Sequence, residues 1–397
     1  MFPRKLQPHL IRLAKVLPVL TVTGPRQSGK TTLCKMAFPD KPYVSLEDPS
    51  IRGVAFRDPK GFLANYPDGA ILDEVQRVPD LLSYIQGIVD RDGRDGMFVL
   101  TGSAQFQLLS TLTQSLAGRT ALVNLLPLSM DEIASTPWAG ESLAETLFRG
   151  GYPRLYDKLA SPREILPYYI NTYLERDVRD LLRVHDLARF HLFLQLCAAR
   201  SGQIVSLTSI GNDCGIDQGT VRAWLSVLET SWIIHFVRPH YRNFGKRLVK
   251  SPKMYFWDVG LMAALLDIET AQQTMTHPLR GALFETFVMS ELLKARLNEA
   301  RTPNAYFFSD SVGKEVDALL EFSEGLKPVE IKSSQTLDDS LFRSLRYYSK
   351  LNPAAAAQAT LIYGGEDDMQ LNGCRVLGFR RAGRANDEFL PTIEPLQ

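Results

Sequence analysis

Val19-Leu20-Thr21-Val22-Thr23-Gly24-Pro25-Arg26-Gln27-Ser28-Gly29-Lys30-Thr31-Thr32 decides how the first third of the chain is read. The residues through Thr23 are apolar and β-branched, the composition of a buried strand. Gly24 to Thr31 meets the pattern G-x-x-x-x-G-K-[ST] at every fixed position. Thr32-Leu33-Cys34-Lys35-Met36 reads as the start of a helix. The motif therefore stands in the strand–loop–helix setting that phosphate binding requires. Gly24 and Gly29 let the backbone turn tightly, so that N–H groups and the helix N-terminus face phosphate oxygens. On this reading Gly24, Pro25, Arg26, Gln27, Ser28 and Gly29 cradle the phosphates, with Thr32 at the helix start. Lys30 reaches the β- and γ-phosphates, and the Thr31 hydroxyl completes a Mg²⁺ shell. A glycine-rich turn with a stray lysine would leave the flanking strand and helix unexplained.

A second strand-end acid supports the first motif. Ala70-Ile71-Leu72-Asp73-Glu74 follows the turn signal Pro67-Asp68-Gly69 and ends an apolar run in two carboxylates. At the C-terminal edge of a buried parallel strand, Asp73 would hold Mg²⁺ and Glu74 would polarise the attacking water. Alone, the pair would read as helix-capping or solvent-facing acids. A third strand, Met97-Phe98-Val99-Leu100-Thr101, ends in Gly102-Ser103. That tip is the sensor position of AAA-type ATPases, and Thr101 and Ser103 are both candidates. Arg119, in Leu116-Ala117-Gly118-Arg119, is a candidate sensor or finger arginine, with an ordinary surface ion pair as the alternative.

Bulk properties restrict the class. A chain of 397 residues calls for two or three domains, and 45% hydrophobic residues is normal for a folded soluble protein. A net charge of +1 argues neither for nucleic acid nor against it. Cys34, Cys197, Cys214 and Cys374 are far apart and form no C-x-x-C pair, so a reducing cytoplasm is expected rather than a disulfide or zinc framework. Arg12, Lys15 and Pro18 interrupt the apolar stretch near the N-terminus, which is no signal peptide, and no run approaches a membrane span.

After Pro127 the pattern turns to amphipathic helices around Leu143–Phe148, Ile165–Leu182 and Phe190–Ala199. Leu207 to Leu225 then reads as helix, a turn at Gly215, and a second helix capped by Asp217. The strand-like Trp232–Val237 follows, and together these suggest a winged helix-turn-helix. Between Ser201 and Trp257 stand seven basic residues, Arg222, Arg238, Arg242, Lys246, Arg247, Lys250 and Lys253, against the acids Asp213, Asp217 and Glu229. Arg222, Arg242, Lys246, Arg247 and Lys250 are the candidate DNA contacts, the last four beside Tyr241 and Phe244 in a basic wing. A lid or protein-contact module is the alternative. His235 and His240 have no metal-site spacing and are expected to be packing or surface residues.

Gly281-Ala282-Leu283-Phe284-Glu285-Thr286-Phe287-Val288 reads as a mostly buried helix, in which Glu285 needs a partner or a metal. Lys314–Leu320 reads as a strand, and after the Gly325 turn Pro328–Lys332 reads as another. Period-two alternation puts Glu330 and Lys332 on one face. Glu285, Asp317 and Glu330 are therefore expected around one Mg²⁺ with Lys332 beside it, the parts of a phosphodiester-cleaving site. Structural pairing of these acids with the lysine is the alternative, and a nuclease-like fold does not guarantee cleavage.

With those motifs in hand, the chain resembles the ATP-binding proteins that join an AAA-type P-loop domain to a DUF4143 region. The resemblance rests on G-P-R-Q-S-G-K-T at Gly24–Thr31, I-L-D-E-V-Q at Ile71–Gln76, T-G-S at Thr101–Ser103 and A-G-R at Ala117–Arg119. It continues through G-G-Y-P at Gly150–Pro153, E-R-D at Glu175–Asp177 and Y-F-W-D-V-G at Tyr255–Gly260. G-A-L-F-E at Gly281–Glu285, E-V-D at Glu315–Asp317 and V-E-I-K-S-S at Val329–Ser334 complete it. It implies an α/β protein: an AAA-like P-loop NTPase with a parallel sheet over 1–130, a helical lid and winged-helix region over 131–270, and a restriction-endonuclease-like α/β domain over 271–397. It implies ATP and Mg²⁺ as cofactors and ATP hydrolysis. DNA, a protein partner and a second copy of the chain stand as candidate partners, and a signalling or scaffold ATPase as the alternative function. The nuclease-like proline–aspartate pair is absent, since Val316 precedes Asp317.

Overall fold

Val19–Thr23 forms strand β1, and none of its five residues reaches solvent. In the computed structural model the described residues are 2–102, 115–157, 160–174, 186–240, 251–310 and 312–387. They divide into two units, the first made of residues 1–128 with 230–232 and 297–301, the second of the remainder.

The first unit is built on β1, β2 (Tyr43–Ser45), β3 (Ile71–Asp73), β4 (Phe98–Gly102) and β5 (Thr120–Asn124). They lie in the order β2-β3-β4-β1-β5, and every pairing is parallel. Both faces are covered, which is why β1, β3 and β4 read as continuous apolar runs. Alternation still sorts the side chains. Val19, Leu72, Phe98 and Leu100 join one cluster with Leu82 and Ile85, whereas Leu20, Val22, Ile71 and Val99 join the other with Leu6, Leu10 and Leu33. Parallel strands share one direction, so the loop after β1, the acids after β3 and Thr101 of β4 all emerge at the same edge.

The second unit holds an eight-stranded mixed sheet. Its strands are β6 (Ile234–Pro239), β7 (Lys253–Phe256), β8 (Ala305–Ser309), β9 (Glu315–Phe322), β10 (Gly325–Lys332), β11 (Thr360–Tyr363), β12 (Met369–Leu371) and β13 (Cys374–Gly378). The order is β12-β13-β11-β10-β9-β8-β6-β7, so strands from both sides of position 270 share one sheet. β10 pairs with β11 only from Val329 onward, so the missing N–H of Pro328 breaks no bond on that side. The helix Arg280–Leu297 carries Glu285.

Elsewhere in this unit, helices Leu207–Cys214 and Gln218–Thr230 are joined through Gly215, at φ 65° in the left-handed region. Asp217 starts the second helix by accepting from the N–H groups of Gly219 and Thr220. Trp224 packs edge-on against Phe190 and Phe193 of helix Leu187–Ala199, with centroids 5.1 Å away in both cases. The helical stretch read from Ile165 begins at Pro162 and widens into a π-helical turn at Ile170–Leu174. The E-R-D block lies outside the described residues. No helix among those described is long and apolar enough to cross a membrane.

Two motifs of the resemblance form one joint. Asp258 is fully buried; it accepts from Gly151 N at 2.6 Å and from Leu261 N at 2.9 Å. A Cβ on Gly150 would stand 2.3 Å from the Asp258 carboxylate, and one on Gly260 would stand 2.4 Å from Arg149 O. G-G-Y-P and W-D-V-G are held by this mutual fit, which admits only glycine at both places.

Candidate functional site

The loop after β1 closes around Lys30. Gly24 has φ 143°, and a Cβ there would lie 2.1 Å from Leu125 O, so the first glycine of the motif is required sterically. Gly29, at φ 94°, turns the chain into helix Lys30–Ala37. Lys30 is 6% exposed, and its Nζ donates to Gly24 O at 3.0 Å and to Pro25 O at 2.8 Å. Burial lowers its pKa to about 8, and Glu74 and Asp73 only partly oppose that shift. Ser28 Oγ is buried in the same loop and makes no hydrogen bond within the described residues. A buried ammonium hydrogen-bonded to two carbonyls, a hydroxyl unpaired among the described residues and a helix N-terminus are donors that a polyphosphate would satisfy.

Asp73, buried at the end of β3, gathers hydroxyls. Its Oδ2 accepts from Thr31 Oγ1 at 2.9 Å and from Tyr43 OH at 2.8 Å, while Thr101 Oγ1 donates to Oδ1. The loop threonine, the strand-end aspartate and the β4 tip are thereby brought together, and their oxygens suit Mg²⁺. Glu74 follows in a left-handed conformation, φ 57°, and accepts from Gln76 Nε2. Ser103 lies outside the described residues, leaving Thr101 as the sensor candidate that reaches Asp73.

Arg119 is not part of this site. It precedes β5, its carbonyl accepts from Val19 N, and it therefore sits at the strands' starting edge, opposite the phosphate loop. Its guanidinium pairs with Asp90, with Nη2 to Oδ2 at 2.9 Å.

Sequence reasoning missed two supporting side chains. Arg4, 7% exposed, donates from Nη1 to Ser28 O at 2.7 Å and from Nη2 to Leu126 O at 2.6 Å, bracing the loop from the N-terminal segment. Nothing in the sequence around Arg4 marks it. Tyr43 sits on β2, beside β3 in the sheet, with Lys35 Nζ 3.4 Å above its ring.

In the second unit the expected carboxylate set is corrected at one position. One oxygen each from Glu285, Glu315 and Asp317 lie within 4.8 Å of one another, and Glu330 is not in that group. Glu315 takes the third place because it stands two residues before Asp317 on β9, on the same face. The same alternation that paired Glu330 with Lys332 contained this signal. Glu330 is buried instead against Lys332, with Oε1 2.6 Å from Nζ, and Lys332 Nζ is 3.6 Å from Asp317. Burial, then the charge of Asp317, push the Glu330 carboxyl up to about 8.

Lys253, one of the seven basic residues between Ser201 and Trp257, is inside this cluster. It is 4% exposed, 3.2 Å from Glu285 and in contact with Glu315. Tyr255 OH donates to Glu285 Oε1 at 2.6 Å. The oxygens would suit Mg²⁺, but an ammonium already holds two of the three carboxylates, so the donor set does not fit the ion as expected. Arg222 is exposed on its helix. Arg242, Lys246, Arg247 and Lys250 lie outside the described residues. His235 is buried between Tyr255 and Trp257, and burial lowers its pKa to about 3.

Residues 17–134 match the AAA domain family, 140–272 a domain of unknown function designated DUF8612, and 280–381 a domain of unknown function designated DUF4143. Two uncharacterized relatives, Rv2008c of Mycobacterium tuberculosis and Mb2031c of Mycobacterium bovis, are 32% identical over 363 residues, covering 89% of this chain and 78% of theirs. The chain belongs to their family. Among solved structures, a Walker-type ATPase of Pyrococcus abyssi is 14% identical at a TM-score of 0.45, covering 67% of this chain and 96% of that one. The Thermotoga maritima Holliday junction branch migration motor RuvB is 18% identical at a TM-score of 0.29, covering 59% and 89% respectively.

Proposed function

We propose that this member of the mycobacterial proteins' family binds ATP at the loop around Lys30 and hydrolyses it. One observation carries the reading: Thr31 Oγ1 and Asp73 Oδ2 meet at 2.9 Å beside a buried lysine whose hydrogen bonds among the described residues go to loop carbonyls. Lys30 exchanges those carbonyls for β- and γ-phosphate oxygens, and the backbone from Gly24 to Thr32 cradles them. Thr31 and Asp73 would hold Mg²⁺, which when bound neutralises charge developing on the phosphates. Glu74, next to Asp73, orients and polarises the attacking water, and Thr101 fixes the Asp73 carboxylate. In a homo-oligomer Arg119 can serve only a neighbouring copy, because it lies at the far edge of its own sheet.

The second half is proposed to act with DNA, as a winged helix that presents Arg222 with Arg242, Lys246, Arg247 and Lys250. The paired helices around Gly215 and the exposed Arg222 support this. A cytoplasmic ATPase fits the four buried free cysteines. A protein-binding scaffold is the second reading, and the burial of the basic Lys253 against Glu285 and Glu315 favours it.

Mg²⁺-dependent ATP hydrolysis, with and without duplex, single-stranded and branched DNA, tests both levels. Lys30→Ala and Glu74→Gln should reduce turnover by about 100-fold or more. Turnover equal to wild type in both variants would sink the ATPase. Stimulation by one DNA form supports the DNA reading, while hydrolysis indifferent to every form supports the scaffold.

A further inference from the structure

Lys253 opens β7, with its backbone fixed on both sides. It pairs with Val237 of β6 and bridges to Ile204 on the other edge. The backbone is thereby anchored, and the side chain carries its ammonium into the cluster, where it is 4% exposed. Nζ lies 3.2 Å from Glu285 Oε1 and touches Glu315, and those two carboxylates and Asp317 are the ones whose oxygens converge within 4.8 Å. Tyr255, two residues on and so on the same face, donates to the same Glu285 Oε1 at 2.6 Å. Both lone pairs of that oxygen are then taken. Mg²⁺ requires near-octahedral oxygens at about 2.1 Å. A divalent ion bonded to these carboxylates would face a buried ammonium within hydrogen-bond range of two of the three groups.

We propose that Lys253 is a built-in cation standing where a nuclease-like fold would hold its divalent metal, so that this domain binds no catalytic metal and cleaves no phosphodiester. The proposal is independent of ATP hydrolysis in the first unit. Lys332 plays the matching part on the other flank, closing Glu330 and Asp317. Each of these carboxylates thus lies near the buried Lys253 or the part-exposed Lys332, and the cluster serves as an electrostatic pin between β7, β9, β10 and helix Arg280–Leu297.

The test is Mn²⁺ binding by the nucleotide-free full chain, followed by electron paramagnetic resonance of free Mn²⁺ and by thermal melting. Asp317→Asn separates this cluster from the Asp73 site. In the wild type, Asp317→Asn should leave Mn²⁺ binding unchanged. Lys253→Met should gain a site roughly tenfold or more tighter than any wild-type site in the cluster, with a melting temperature that rises on Mn²⁺ addition and loses that rise with Asp317→Asn. The double variant Lys253→Met/Glu315→Gln removes a contacting pair of opposite charges together and serves if the single variant does not fold. Wild-type Mn²⁺ binding or DNA nicking that Asp317→Asn abolishes would overturn the proposal. So would failure of both Lys253 variants, folded, to gain Mn²⁺.

Discussion

Lys30 and Lys253 are both buried ammonium groups near carboxylates, yet they are set in opposite ways. Lys30 bonds to two backbone carbonyls, and burial outweighs the acids nearby, bringing it down to about 8. At Lys253 burial also opposes the charge, but Glu285, Glu315 and Asp317 together outweigh it and hold the ammonium above the usual lysine range. The first lysine is charged at a cost and gains by meeting an anion. The second has its anions already. A lysine beside acids is thus no sign of function by itself; what matters is whether the fold has already neutralised it.

The sharpest break of this comparison is one substitution made at both places. Lys253→Met should cost about 1–3 kcal/mol in chemical denaturation, because it leaves the partly buried Glu285 and Glu315 without their ammonium. An unchanged midpoint would mean that the cluster is hydrated and the pairing is not structural. Lys30→Met should move the other way, stabilising the nucleotide-free chain by about 1–3 kcal/mol while abolishing ATP binding. The sign follows from linkage. The folded state releases the Lys30 proton near pH 8, the unfolded state only near 10.5, so the wild-type penalty is full below pH 8 and fades between those values. The stabilisation by Lys30→Met should therefore shrink as pH rises through that window. A destabilised Lys30→Met at pH 7 would show that the two carbonyl bonds matter more than the buried charge.

The brace from Arg4 sharpens the first half of the comparison. The guanidinium uses two separate nitrogens to hold Ser28 O and Leu126 O. Lysine has a single nitrogen and lacks the planar fork. Arg4→Lys should weaken ATP affinity roughly tenfold, read by isothermal titration, with little change in melting temperature. Equal affinity would leave the loop's shape to Gly24 and Gly29 alone.

The contrast between the two regions also decides what was legible beforehand. The phosphate loop is contiguous, and its parts obey fixed spacing, so Gly24, Lys30, Thr31 and Asp73 could be placed from strand periodicity and one motif. The edge strands β2 and β5 could not. β2 has three residues, and β5 is only partly covered, so neither shows a clear buried run. In the second unit the site is assembled from β7, β9, β10 and a helix far apart in sequence. Alternation puts Glu330 and Lys332 on one face but does not say which faces meet, and it is Glu315, two residues from Asp317, that joins Glu285 and Asp317. Lys253 was read from local charge as part of a basic stretch. Its burial depends on β6 and β7 joining the C-terminal sheet, a long-range pairing with no local signature. Arg4 was silent for the same reason: its partners lie 24 and 122 residues away.

The smallest expected effect lies at Tyr43. Its phenol is one of three hydroxyls on Asp73, and burial, with Asp73 beside it, pushes its pKa up to about 12, so it remains a donor across the working range of pH. Tyr43→Phe removes one bond from a carboxylate still held by Thr31 and Thr101. A hydrogen bond to a charged group in a half-exposed place is worth about 1 kcal/mol, and the loss should appear as a roughly fivefold change in the Mg²⁺ concentration giving half-maximal ATP hydrolysis. The direction discriminates. If Tyr43 orients Asp73 for the metal, more Mg²⁺ is needed. If it competes with the metal for Oδ2, less is needed, and the tyrosine restrains the metal site. An unchanged Mg²⁺ requirement would reduce Tyr43 to the cation–π partner of Lys35 and leave Asp73 to the two threonines.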